Sequence, residues 1–396
     1  MKPVIKKAIP IIYLGLLAAL LGGLIGAISA EFLHFIEWGQ HLLWKELTSN
    51  LPVQTLLVAT LGGLLIGLSQ RYLGDHPKGI NEAVSEISET GRLDYKHLPQ
   101  GMLTASTSLI FGASLGPEAA IMDVIGGLGT WAGDVMRSFR KRFDLPKPEK
   151  SQNRIKNFIQ KWPTIIAYLV GGFAFVKLLD GLYGGGLLDL SAHAFEWMDL
   201  FWSIPLALVG AAGGWIYLAI QTSTRNLLAP LQQRPILRGI LGGFSLGLTA
   251  LFLPLVLFSG QHLLNPMFAQ AAQLGFWILL LTGLARLFLT SLMLNTGWKG
   301  GQFLPIMFGG AALGLSISAL FPAIPASVAA LAAMGALTAV VLPKPPIALV
   351  LMALMFPLEY LGVSVISVGM VIIGQRILQN LRVSRLQKAE VALASD

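Results

Sequence analysis

The sequence predicts an all-α polytopic membrane protein, folded as an inverted repeat whose interrupted helices meet at mid-membrane. Three observations carry this expectation. The 396 residues are 54% hydrophobic and only 12% charged, whereas soluble domains carry about 25% charged residues. Two stretches, 239–285 and 301–343, contain no Asp, Glu, Lys or Arg. Two glycine-rich segments, one early and one late in the chain, align with each other without a gap.

The uncharged stretches predict helices. A helix needs roughly 20 apolar residues to cross the hydrocarbon core, so each stretch has room for two helical segments. Further apolar runs begin near Ile11, Leu56, Met102, Ile121, Thr164, Ile204 and Ile347. Together they predict about ten to twelve membrane segments, some too short to span fully. The first run follows Lys2, Lys6 and Lys7 as a signal peptide would, but further apolar runs succeed it, so it is read as a retained first helix.

The net charge of +8 is distributed as topology anchors rather than as a nucleic-acid surface. Nine Lys/Arg fall within 137–161, and others cluster at both ends, among them Arg382, Arg385 and Lys388. Membrane proteins keep such clusters on the cytoplasmic side. The N-terminus, the 137–161 loop and the C-terminus are therefore expected inside, in a cell inner (plasma) membrane. Trp38, Trp44, Trp197 and Trp202 are read as interface anchors. Cysteine is absent, which excludes disulfides and thiolate metal sites. The six histidines are scattered, no G-x-x-x-x-G-K-[ST] phosphate loop occurs, and no nucleophile set stands out. No enzyme activity, cofactor, metal or nucleic-acid partner is expected.

The repeat rests on residues 112–129, GASLGPEAAIMDVIGGLG, and 297–314, GWKGGQFLPIMFGGAALG. They share Gly112/Gly297, Gly116/Gly301, Ile121/Ile306, Met122/Met307, Leu128/Leu313 and Gly129/Gly314. Corresponding breaks in two repeats are a signature of secondary transporters. The expected division places one half-repeat at 1–190, a second at 191–380 and a polar tail at 381–396.

A glycine-rich turn feeding a helix presents unpaired backbone N–H groups at the positive end of the macrodipole, and such an end binds anions. Three candidate ends are His76-Pro77-Lys78-Gly79-Ile80, Gly116-Pro117-Glu118-Ala119, and Gly300-Gly301-Gln302-Phe303-Leu304. Glu118 is the most informative residue. It is the only acidic residue between Asp94 and Asp123, in an apolar segment, and a carboxylate at membrane depth is by default functional. When ionised it would occupy the anion site itself, and when protonated or displaced it would leave, which makes it a gate.

At these residues the chain resembles the CLC family of chloride channels and chloride/proton antiporters. Gly112-Ala-Ser-Leu-Gly-Pro-Glu118 is similar to the family's G-[KR]-E-G-P segment. Gly300-Gly-Gln-Phe-Leu-Pro305 is similar to its G-x-F-x-P segment, and Pro77-Lys-Gly-Ile-Asn81 falls where G-S-G-I-P would. The resemblance implies a homodimer with one anion pathway per subunit, transport of chloride or another small anion, and possible exchange for protons. It implies Glu118 as the gate, anion contacts from the backbone of Gln302 and Phe303 with neighbouring Gly301 and Leu304, and a contribution from the Lys78-Gly79-Ile80 turn. Gly116, Pro117 and Ala119 flank the gate.

The chain also departs from the family pattern. Lys78 replaces a serine, Pro117 stands where a basic residue precedes the gate, and Ala119-Ala120 replace Gly-Pro. No tyrosine occurs between Val365 and Arg376, and Tyr360 lies early for the family's late tyrosine. The inner proton-carrying glutamate has no match, and Asp180 is the nearest carboxylate. Channel and antiporter therefore stay open. So do two alternatives: another anion (fluoride, nitrate or an organic anion), and a membrane scaffold that kept the fold without a pathway.

Overall fold

The computed structural model describes residues 2–47, 52–145, 162–183, 193 and 195–393. Six helices come first: α1 (Lys2–His41), α2 (Pro52–Leu73), α3 (Ile80–Thr90), α4 (Leu98–Ile110), α5 (Glu118–Arg142) and α6 (Trp162–Tyr183). Eight follow: α7 (Met198–Leu228), α8 (Pro235–Phe252), α9 (Leu264–Ala269), α10 (Ala271–Asn295), α11 (Phe303–Leu320), α12 (Ala326–Val341), α13 (Pro346–Met355) and α14 (Leu361–Leu393). Among the described residues the extended pairing is a single isolated bridge.

Hydropathy explains the elements. Seven helices are long and apolar enough to cross a membrane, and three shorter apolar ones, Trp162–Leu178, Ala326–Val341 and Pro346–Met355, accompany them among the described residues. The uncharged stretch 239–285 holds most of α8 and the first part of α10, and 301–343 holds α11 and α12. The outer surface is apolar: Leu20, Phe173, Phe252 and Trp277 each expose between 67 and 79% of their area. Ser108, Thr282, Thr290 and Thr338 are fully buried instead. Apolar outside and polar groups inside is the arrangement that a hydrocarbon solvent selects, and the chain is a multi-pass membrane protein.

Small residues set the helix pairs. A methyl group on Gly22 of α1 would come 2.1 Å from the carbonyl oxygen of Ala167 on α6, and one on Gly210 of α7 would come 2.1 Å from that of Ala333 on α12. The two pairs thus pack backbone to backbone in the same way. α2 and α8 cross equally closely, with Gly63 against Gly239 and Gly243 against Ala59. Without a hydrophobic drive between helices in lipid, such close approach is what holds them.

The two halves repeat in the middle as well. α4 is followed by Gly112 (φ +86°) and α10 by Gly297 (φ +89°), the aligned pair, both in the left-handed region that glycine tolerates. After each, an irregular stretch leads to the next helix, α5 or α11. Leu115, Ala120, Met293 and Trp298 bury together there, so the core at the breaks draws on both halves. Trp44 departs from its expected role as an interface anchor. Its indole N–H donates to the Ile110 carbonyl at 2.8 Å and its ring meets Phe258 edge-on, so it closes the end of α4 from inside.

Candidate functional site

The site begins where the two breaks meet. The N–H of Gly116 donates to the Gly301 carbonyl at 2.8 Å, and the N–H of Gly301 donates to the Gly116 carbonyl at 2.6 Å. This antiparallel bridge joins the residue that precedes the N-cap of α5 to the residue that precedes the N-cap of α11. Pro117 is the N-cap of α5 and Gln302 that of α11. Two helix N-termini, with their unpaired donors, are thereby held side by side.

Glu118 opens α5 and reaches across to α11. Its Oε1 accepts the backbone N–H of Leu304 at 3.0 Å, and the N–H of Phe303 and of Glu118 itself also bear on the carboxylate. The donors nearest the carboxyl group are therefore those of Phe303 and Leu304, the first residues of α11, while Gln302 caps the helix. Its Oε2 is buried without a hydrogen-bond partner. A methyl group on Gly301 would lie 2.2 Å from the Glu118 Cδ, and one on Gly116 would lie 1.8 Å from Oε2. Only bare backbone at both positions leaves room for the carboxyl group. A carboxylate held by helix N-terminal donors occupies the place a small anion would take.

Glu118 also borders a cavity of about 1430 Å³ that runs along one face of α5, past Met122, Ile125 and Thr130, to Arg137, Arg140 and Lys141. Ala119, on the other side of the helix, is buried.

Gln302 brings a residue that sequence reasoning missed. The Tyr217 hydroxyl on α7 donates to Gln302 Oε1 at 2.7 Å, and Gln221 Nε2 approaches the same oxygen at 3.4 Å. Tyr217 is completely buried. The only signal in the sequence was a phenol within an apolar run. Tyr360, weighed as a substitute for the late tyrosine, lies elsewhere: its hydroxyl donates to the His193 carbonyl and its ring packs on Phe195.

The third candidate end is linked to the breaks but faces another way. Gly79 is the N-cap of α3, and Ile80 is its first residue. The Lys78 ammonium pairs with Glu86 Oε2 at 2.7 Å on that helix and is 43% exposed. The hydrogen bond to Glu86 holds the Lys78 ammonium above its ordinary range, and the same bond holds the Glu86 carboxyl below its own. Lys78, Glu86, Asp94, His76, His97 and Asp123 line a separate cavity of about 60 Å³. The turn is tied to the second break by other groups. Lys299 Nζ pairs with Asp75 at 2.6 Å, and the Gln70 amide donates to the Gly297 carbonyl. Asp180, the proton-transfer candidate, lies on α6 with its side chain outside the described residues.

Known proteins share this fold. A sequence model of the voltage gated chloride channel family matches residues 149–373, more than half of the chain. The YfeO proteins of Salmonella choleraesuis (strain SC-B67) and Salmonella newport (strain SL254), which carry an ion-transport name, are 27% and 26% identical over 320 residues, 73% of this chain and 76% of theirs. The fold is similar to that of a CLC-type fluoride/proton antiporter (TM-score 0.68, 16% identity, 91% of this chain and 94% of the other). It is also similar to a slow cyanobacterial chloride/proton antiporter (TM-score 0.66, 18% identity, 90% and 94%). The chain belongs to the voltage gated chloride channel family, as a helical inverted repeat whose broken helices meet at Gly116 and Gly301.

Proposed function

We propose that the protein moves a small inorganic anion, chloride first among them, across a cell membrane, with Glu118 as the gate of the pathway. The observation that carries this reading is the Glu118 carboxylate on the first N–H groups of α11. A carboxylate and a halide compete for those donors, because each satisfies them with one negative charge. Ionised Glu118 closes the cradle; protonation weakens its hold on the donors and frees them for an anion. The bare backbone of Gly116 and Gly301 leaves the carboxyl group space to sit there. The donors are neutral, so the ion is bound by partial charges and can leave again.

In this reading Phe303 and Leu304 bind the anion, Gln302 is oriented by Tyr217, and Pro117 and Ala119 shape the start of α5. The Lys78-Gly79-Ile80 turn, tied to the second break through Asp75 and Gln70, supports the site without contacting the ion, and Asp180 is the first residue to test for proton transfer. The same reading takes the chain as a homodimer in the cell inner membrane with both termini on the cytoplasmic side. Fluoride is the competing cargo, since fluoride/proton and chloride/proton antiporters both stand among the proteins of similar fold.

The test is simultaneous measurement of chloride and proton flux from liposomes that hold the purified protein, with fluoride and nitrate as competitors. Chloride efflux with opposed proton movement identifies an antiporter, and chloride efflux alone a channel or uniporter. A well-folded preparation that moves no anion overturns the reading in favour of a scaffold.

A further inference from the structure

α10 carries an arginine where membrane proteins rarely tolerate one. Arg286 is fully buried, and among the described residues no carboxylate pairs with it. One edge of the guanidinium is well occupied. The two N–H groups of Nη1 are shared among Ser114 Oγ at 3.1 Å, the Leu257 carbonyl at 3.1 Å, the Phe258 carbonyl at 2.6 Å and the Val256 carbonyl. One face is covered by the Phe308 ring, 4.4 Å from Cζ. The other edge is bare: Nε and Nη2 are buried and have no acceptor.

One turn earlier on the same helix, Thr282 is also fully buried, and its hydroxyl has no partner. Residues four apart share a helix face. The edge of Arg286 at Nη2 is bounded by Gly260, where an added methyl group would come within 2.2 Å of Nη2. Every orphan here can donate a hydrogen bond, and the site carries a net positive charge. Such a set recruits an anion, because a buried cation without a counter-charge is costly. It has no use for a metal cation.

The position is close to the breaks and separate from the Glu118 cradle. Ser114, which binds Nη1, belongs to the irregular stretch that leads to Gly116. Phe308 stands on α11 one turn beyond Leu304, whose N–H holds Glu118. We propose that Arg286 and Thr282 form a second anion-binding site for a chloride-sized monovalent anion, about one helical turn along α11 from the gate. The identity of the ion rests on the proposed transport of small anions; the existence of the site does not.

The experiment is anomalous diffraction from crystals of the full chain grown with bromide in place of chloride. Wild type is expected to show a bromide peak at hydrogen-bonding distance from Arg286 Nε and Nη2. Thr282→Val removes one donor and little volume, so its expected effect is loss of that peak or about tenfold weaker bromide binding there. A bromide peak at the α11 N-terminus in Glu118→Ala should be unaffected by Thr282→Val. No bromide at Arg286 in wild type, or a non-anomalous water in its place, overturns the proposal and makes Arg286 a clamp for the 256–258 carbonyls. Because the two peaks are read separately, a peak at Arg286 without one at the α11 N-terminus counts against the proposed gate alone. The opposite result counts against this inference alone.

Discussion

Gly116 and Gly301 exchange both of their backbone hydrogen bonds, at 2.8 and 2.6 Å. They also occupy the same place in the two repeats. A residue that pairs antiparallel with its own counterpart lies on the two-fold relation between the halves. The bridge therefore brings two helix N-termini to one point, and Glu118, two residues past Gly116, reaches the donors of the other half.

Acid should open the pathway. Ionised Glu118 competes with the anion for the N–H of Leu304, and the protonated form competes less. Anion flux from liposomes should rise as pH falls, and Glu118→Gln should give a faster, pH-flat flux. A folded, active Glu118→Gln that keeps the wild-type pH profile would remove Glu118 from the gate.

Gly301→Ala should unseat the gate by a steric route. All three nearest neighbours of the added methyl group are Glu118 side-chain atoms, at 2.2 to 2.4 Å, so the carboxyl group can no longer rest on the α11 donors. Flux at neutral pH is expected to rise and to lose its pH dependence, and adding Glu118→Ala should change it little further. The non-additivity is the signature, because the two residues are in contact. Equal loss in the single and double variants would place the damage in the backbone instead.

Tyr217→Phe removes the hydroxyl that donates to Gln302 at 2.7 Å. A buried hydrogen bond is worth about 1 kcal/mol net. Gln221 remains within reach of the same oxygen. The variant should fold normally, with anion affinity shifted about threefold to tenfold as measured by competition in the flux assay.

Lys78→Met should matter little to transport. Its ammonium is engaged by Glu86 and partly exposed, and such pairs contribute about 0–1 kcal/mol. The sign of the pH dependence follows from the shifts. Glu86, held low, stabilises above its unfolded value and loses this as pH falls through its folded one. Lys78, held high, stabilises below its unfolded value and loses this as pH rises through its folded one. The pair is thus intact at neutral pH, where flux should stay within about twofold of wild type. A tenfold loss at neutral pH would show that Lys78 contacts the permeating ion.

Much of this was legible in the sequence because it is encoded locally. Uncharged runs such as 239–285 favour helices in lipid, where backbone groups are satisfied within their own segment; the irregular stretch between Phe252 and Leu264 persists because it is buried, with Arg286 on its carbonyls. Gly112 and Gly297 announced two matching helix ends, and both adopt the left-handed conformation that favours glycine. Glu118 was conspicuous because one carboxylate in an apolar segment has few reasons to be there.

The solvent of this protein, its helical segments, the two breaks and the lone carboxylate beside the first of them were all readable from local sequence. The tertiary structure alone decided which groups the breaks would meet. Tyr217 reaches Gln302 from 85 residues away, Lys299 finds Asp75, Lys78 turns to Glu86, and Arg286 is buried against carbonyls with an edge left bare. The reason is physical. Helix formation follows from hydrophobicity and hydrogen bonding along one segment, whereas these contacts follow from how the two halves dock, through glycine faces whose mates carry no local signal.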